Sequence, residues 1–264
     1  MMRTLAIAAT GMQAQELNVE VISNNIANLN TTGYKRRIAA FQDLLYQSIN
    51  RDVGAQTTVG GNMAPVGSQI GLGVKDAGIY KDNGQGSLTQ TNNTYDIAIQ
   101  GRGFFQITDS SGNVFYTRAG TFNPNQDGLL VDPQGFTLDP SITIPNDAIS
   151  VTINPQGEVL AVTDTSKAAT NLGRITLVNF VNESGLRPVG NNNLVETQAS
   201  GTPLISNPGE AGYGTLQEGF LEASNVDAVK EITSLITAQR AYELNSKVVT
   251  TGDEIMKTIT SMVT

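Results

Sequence analysis

Near the start of the chain, apolar residues recur three and four positions apart in alternation. Leu5, Ala8, Met12, Gln15, Val19, Ile22, Ile26 and Leu29 make up this stripe, with Gln15 its one polar member. Such spacing keeps side chains on one narrow face of a helix, the seam of a coiled coil. No proline interrupts the stretch, and good helix formers fill its other positions. Asn28, Asn30 and Thr31-Thr32-Gly33 predict the stop, because Gly33 can take the left-handed conformation past a helix end. The far end repeats the pattern through Leu235, Ala238, Tyr242, Asn245, Val249, Gly252, Met256, Ile259 and Val263, interrupted at Asn245 and Gly252. Ser224 followed by Asp227 reads as a capping box with Asp in place of the usual Glu.

From about Gly54 to Gly219 the pattern changes to short alternations. Ile97 and Ile99, Ile142 and Ile144, Val151 and Ile153, and Ile175, Leu177 and Val181 each flank polar or small residues. Turn clusters recur at Asp109–Asn113, Asn125–Gly128, Asp132–Gly135 and Asn154–Gly157. An antiparallel domain of short strands is expected. Residues 47–73 have weak periodicity and read as extended structure or loop. Tyr34–Ile49 is ambiguous, since Ile38, Phe41 and Leu45 fit a helix and a strand equally.

The fold class is therefore α+β: N- and C-terminal helices pairing as a coiled coil around an antiparallel β-rich centre. The boundaries fall at 1–33 for the first helix, 34–95 for an extended connecting region, 96–220 for the β-rich domain and 221–264 for the last helix. Two readings of the helices remain open. They can close on one another within one chain, or pair and then bury their remaining surface against other copies. Small residues such as Ala8, Ala9, Gly11, Ala14 and Ala27 would permit close approach. Narrow stripes without partners are expected to fray in an isolated subunit.

Composition narrows the chemistry. The 264 residues include no His, Cys or Trp, and only 15% are charged, against roughly 25% in an average domain. Thiolate nucleophiles, Ser-His-Asp relays, common zinc sites, haem anchored through imidazole or sulfur, and disulfides are all excluded. The net charge of −8 argues against a nucleic-acid partner. That charge is local: five basic and three acidic residues in 1–51 give +2, seven and fifteen in 52–220 give −8, and four and six in 221–264 give −2. The ends are nearly neutral and do not resist association.

The start, Met1 to Ala9, only faintly imitates a secretory signal, its apolar run falling short of the roughly 7–15 residues required. No window approaches the ~20 apolar residues of a membrane span. Asn123–Gly128 overlaps the start of a calcium loop, but position 1 is Asn and position 12 would be Gln134 instead of a bidentate Glu, so a hairpin turn is expected. Gly71-Leu72-Gly73 and Gly101-Arg102-Gly103 lack the third glycine of a dinucleotide fingerprint. Lys35-Arg36-Arg37 is too short for a nucleic-acid patch and is expected to meet acidic groups of a neighbouring segment or subunit. Adjacent Asp253-Glu254 reads as a solvated helix face. No catalytic, cofactor-binding or metal-ligating residue stands out.

The block Ser23-Asn24-Asn25-Ile26-Ala27-Asn28-Leu29-Asn30-Thr31-Thr32-Gly33-Tyr34-Lys35 resembles the N-terminal signature of bacterial flagellar rod and hook proteins. Gln239-Arg240-Ala241-Tyr242-Glu243-Leu244-Asn245-Ser246-Lys247 resembles their C-terminal signature, and Leu221–Val226 the segment leading into it. Ala98–Phe105 and Tyr116–Phe122 match the central region, so the similarity spans almost the whole chain. Residues from about Gln47 to Gln69 occupy the place of a segment that rod members carry and hook members lack. The resemblance implies a non-enzymatic axial subunit without cofactor that assembles into a tubular helical polymer. The helical stripes would form coiled-coil and subunit interfaces lining the tube, and the β-domain would face outward. Implied partners are other copies, other rod subunits, the hook protein and surrounding ring proteins, with neither nucleic acid nor membrane insertion. The implied location is the periplasm-spanning rod of the basal body, reached by flagellar export without a cleaved signal. The alternatives are a proximal rod or hook subunit of the same family, a carboxylate-based hydrolase with helical oligomerisation arms, and a secreted adhesin.

Overall fold

The computed structural model describes residues 2–48, 56, 57, 63, 64, 69–163 and 168–263. The chain divides into two compact units, one of residues 1–26, 37–80 and 228–264 and the other of 27–36 and 81–227.

The first unit contains helix α1 (Met2–Ala27) and helix α2 (Ala228–Val263). Helix α1 stops two residues short of the end of its apolar stripe, and Asn28–Asn30 form a turn. Helix α2 starts at Ala228, so Ser224 is not its cap residue. The Ser224 hydroxyl accepts instead from the Val226 amide at 3.3 Å, a local turn that competes with capping. The ambiguous segment resolves as a strand, Arg37–Asp43, which pairs with Val74–Lys81. Beyond it Tyr46–Ser48 lies antiparallel to Gln69–Gly71, and Gln56–Thr57 to Met63–Ala64. These are two separate two-stranded pairings. The rest of the 47–69 segment lies outside the described residues.

The second unit is antiparallel β structure. Its largest sheet has seven strands in the order Asn123–Pro124, Leu130–Val131, Thr137–Asp139, Phe105–Thr108, Val114–Thr117, Asn193–Val195 and Arg187–Gly190. A three-stranded sheet joins Ala148–Ile153, Glu158–Thr163 and Thr170–Arg174. Ile97, Ile99, Phe105, Ile107, Phe122 and Leu138 are buried together, and Phe105 meets Phe122 edge-on with centroids 5.3 Å apart. Ile142 and Ile144 join that core, but they flank a single bridge at Thr143 and form no strand. Ile175 and Leu177 are fully buried, whereas Val181 is exposed beyond the end of Leu177–Asn179.

All four turn clusters sit between paired strands. Asn125 and Asp132 do the same work in consecutive hairpins: each side-chain oxygen accepts from the amides two and four residues on, all at 2.9 Å. Asn123–Gly128 is thus part of a hairpin turn in which the Asn125 side-chain oxygen is engaged by backbone amides. Among the described residues no cluster of acidic side chains could hold a metal ion.

Candidate assembly interface

The two helices run antiparallel. Asn25 bonds Glu231, a methyl added at Gly11 would meet Asn245 at 2.9 Å, and one at Gly252 would meet Leu5 at 3.0 Å. Between the first contact and the last, α1 runs back 20 residues (25 to 5) and α2 runs forward 21 (231 to 252). The contacts on α2 at 231, 245 and 252, with buried Ala238 between them, recur every seven residues. Glycine at 11 and 252 lets the backbones approach where a side chain would hold them apart.

Burial follows these contacts. On α1 the stripe residues Ala8 and Ile22 are buried and Leu5, Met12, Val19 and Ile26 are half-buried, as is Leu29 in the turn beyond. On α2 Ala238 is buried and Leu235, Asn245 and Val249 are half-buried, while Tyr242 is exposed. Past Gly252, opposite Leu5, only the first few residues of α1 remain to cover α2. Met256 and Ile259 are consequently exposed, and the side chain of Val263 lies outside the described residues.

At the other end of the pair, Asn25 treats residue 37 as a strand neighbour would. Its amide oxygen accepts from the Arg37 N–H at 2.9 Å, and its amide nitrogen donates to the Arg37 carbonyl at 2.8 Å and to Glu231 at 3.1 Å. Asn25 and Glu231 are both buried. Asn25 thus partners both backbone groups of Arg37.

In the second unit three distant segments converge on Glu222. Its carboxylate accepts from the Lys35 ammonium at 2.6 Å, from the Arg118 guanidinium at 2.6 Å and from the Gly86 amide at 2.9 Å. Its backbone carbonyl accepts from Gly33 at 2.8 Å. Arg118 also donates to the carbonyls of Gly103 (2.7 Å), Gly101 and Ile99 (3.4 Å). Burial alone would push the Glu222 carboxyl up, but Arg118 and Lys35 outweigh it and hold the group below its ordinary value. Burial pulls the Lys35 ammonium below its ordinary value, against the opposing effect of Glu222. Nearby, burial and the Glu196 carboxylate raise the Tyr116 hydroxyl to about 12.

Lys35 therefore meets an acidic group of another segment. Arg118 and Glu222 fall within segments that carry the resemblance, but no local pattern marks them as a pair, because they are 104 positions apart. Of the N-terminal signature, Asn25, Gly33 and Lys35 hold backbone together. Ser23, Asn24 and Ala27 are exposed, and Asn28 and Thr32 half-buried. Of the C-terminal signature, Gln239, Arg240 and Tyr242 are exposed, with Ala241, Asn245 and Ser246 half-buried.

Both buried charged clusters join chain segments to one another, and the helices leave part of their apolar surface outside. These are the features of a structural protein built to associate. Residues 5–35 match the family described as flagella basal body rod protein, 98–161 the flagellar hook protein FlgE/F/G D1 domain, and 217–262 the flagellar basal body rod FlgEFG protein C-terminal family. The chain is 52% identical over 254 residues to the flagellar basal-body rod protein FlgG of Agrobacterium fabrum, covering 96% of this chain and 97% of that protein. It is 50% identical over 256 residues to FlgG of Caulobacter vibrioides, with 97% of each covered, and 38% identical over 267 residues to FlgG of Bacillus subtilis, with 99% of each covered. The chain belongs to the flagellar basal-body rod protein family.

Proposed function

We propose that this chain is the structural subunit of the flagellar distal rod. Many copies assemble into a tubular helical polymer that transmits torque to the hook and encloses the export channel. The observation that carries this reading is the 52% identity to a rod protein over nearly the whole of both chains. In this reading α1 and α2 pair as a coiled coil lining the channel, and residues 96–220 form a β-rich domain facing outward. The apolar stripe residues on both helices supply contacts between copies. A head-to-tail contact whose rotation does not close generates a filament and not a ring.

The partners in this reading are other copies, proximal rod subunits, hook protein and the surrounding rings. The location is the periplasm-spanning part of the basal body, reached by flagellar export without a cleaved signal. The protein performs no catalysis and takes no cofactor. Segment 47–69 locks neighbouring subunits and makes the rod stiff.

Deleting the gene tests this reading. The expected phenotype is loss of motility with basal bodies that end short of the distal rod and carry no hook. Complete rods and normal swimming in the deletion strain would overturn it. A second deletion, of 47–69 alone, is expected to leave a polymer that bends, and a straight, stiff rod would contradict the locking role.

A further inference from the structure

A polar cleft of about 430 Å³ opens on the second unit, within the ~300–1,000 Å³ of ordinary small-molecule sites. Its walls come from four separate stretches, at 28–32, 117–121, 132–134 and 191–193. These walls are tied to one another. The Asn192 side-chain amide donates to the Thr32 carbonyl at 2.5 Å, and the Thr117 hydroxyl donates to the Asn192 carbonyl at 3.3 Å. Asn191 and Asn192 both have positive φ, at 51° and 63°, the backbone of a two-residue hairpin turn that asparagine accepts readily.

Two residues line this cleft with hydrogen-bonding capacity left over. Asn193 is only 3% exposed, yet its side-chain amide has no hydrogen-bond partner among the described residues. Its backbone belongs to a strand paired on both sides, with Thr117 and with Gly190. The buried Asp132 carboxylate gives Oδ1 to the Gln134 and Phe136 amides, both at 2.9 Å. Its Oδ2 accepts from no group among the described residues. Buried polar groups are ordinarily satisfied, and only what enters the cleft can satisfy these two.

The lining selects the chemistry of the guest. It carries no basic side chain to hold an anion, and Asp132 is its single carboxylate, too few for a metal ion. No large apolar side chain lines it to receive the side chains of a docked peptide, and the strand of Asn193 offers no open edge. What remains is a set of neutral amides and hydroxyls, with Pro133, Ala119 and threonine methyls between them. We propose that this cleft binds a neutral saccharide. One sugar hydroxyl donates to Asp132 Oδ2 in a charge-assisted bond. A neighbouring hydroxyl or acetamido group pairs with the Asn193 amide, which both donates and accepts. The C–H faces of the sugar lie against Pro133 and Ala119. The proposal stands apart from the rod-subunit reading and gives the β-rich domain a ligand site of its own.

Nuclear magnetic resonance titration of the isotope-labelled full chain tests it. The probes are chitotriose, maltotriose and the uncharged peptide Gln-Thr-Asn-Asn-Thr, copied from residues 90–94. At millimolar concentration at least one saccharide is expected to shift the amides of 117–121, 132–136 and 191–193, and the peptide to leave them unmoved. Asp132→Asn keeps Oδ1 for the turn and replaces the second acceptor by a donor. It is expected to weaken saccharide binding at least about tenfold, and Asn193→Ala to do the same. Thermal melts check that each variant folds, and Asp132→Asn, which preserves the turn, decides the matter if Asn193→Ala does not. No shift with either saccharide, shifts confined to other residues, equal shifts with the peptide, or full affinity in Asp132→Asn would overturn the proposal.

Discussion

The Arg118 guanidinium lies 2.6 Å from the Glu222 carboxylate, and both side chains are buried. An ion pair in this setting gives modest net stability when intact, but removing one partner strands the other charge. Glu222→Gln leaves both Arg118 and Lys35 without their counter-ion and is expected to cost about 3–5 kcal/mol of unfolding free energy. Urea denaturation of the monomer measures it. Arg118→Met combined with Glu222→Leu removes both charges, and its loss is expected to fall short of the sum of the single losses.

The same carboxylate ties stability to pH. Its folded value lies below the ordinary 4.5, so the unfolded chain binds this proton more readily. Stability from Glu222 is therefore fully present above the ordinary value and is lost as pH falls through the folded value. Urea midpoints recorded from neutral pH down to about pH 3 are expected to fall in the acid range. The acid decline is expected to be shallower in Glu222→Gln, and an identical slope would remove Glu222 from the account.

Gly33 takes a left-handed conformation at φ +68°, and an added methyl would stand 2.9 Å from the backbone carbonyl carbon of Arg118. Backbone atoms on both sides of this contact leave little room to yield. Gly112 has φ +82° with nothing within 4 Å of the added carbon. Gly33→Ala is accordingly expected to destabilise by at least about 1 kcal/mol more than Gly112→Ala, which bears the conformational strain alone. Paired thermal melts read the difference, and equal shifts would mean that close packing at Gly33 is unimportant.

Protection of the helices from hydrogen exchange is expected to be graded in the isolated subunit. Residues 231–252 of α2 face α1, whereas Asp253–Met262 are exposed throughout. An uncovered helical end has only its propensity to hold it. Fast exchange beyond Gly252 with slower exchange at 231–252 is the expected profile. Uniform protection to the end of the helix would require a partner for the last three turns.

The helices were legible because a stripe of side chains is a local property, readable from positions three and four apart. Where the pairing stops was not legible, since it depends on where α1 begins. Asn125 and Asp132 declared their turns for the same local reason. The Lys35–Arg118–Glu222 cluster was half legible: a basic run among neutral residues asked for an acidic partner, but which carboxylate answered was decided by strand pairing. That pairing sets Phe220–Glu222 beside Leu88–Gln90 and brings Gly86 within reach of the Glu222 side chain. Ser224 misled because a capping sequence is also a local turn sequence.

In the proposed function this chain builds the distal rod through its paired end helices. Electron cryomicroscopy of basal bodies purified from a strain whose only copy carries a small tag in residues 96–220 tests it most directly. The expected result is distal-rod density fitted by this chain, with α1 and α2 lining the channel and the tag on the outer surface. A complete distal rod without the tag, or with the helices facing outward, would contradict it.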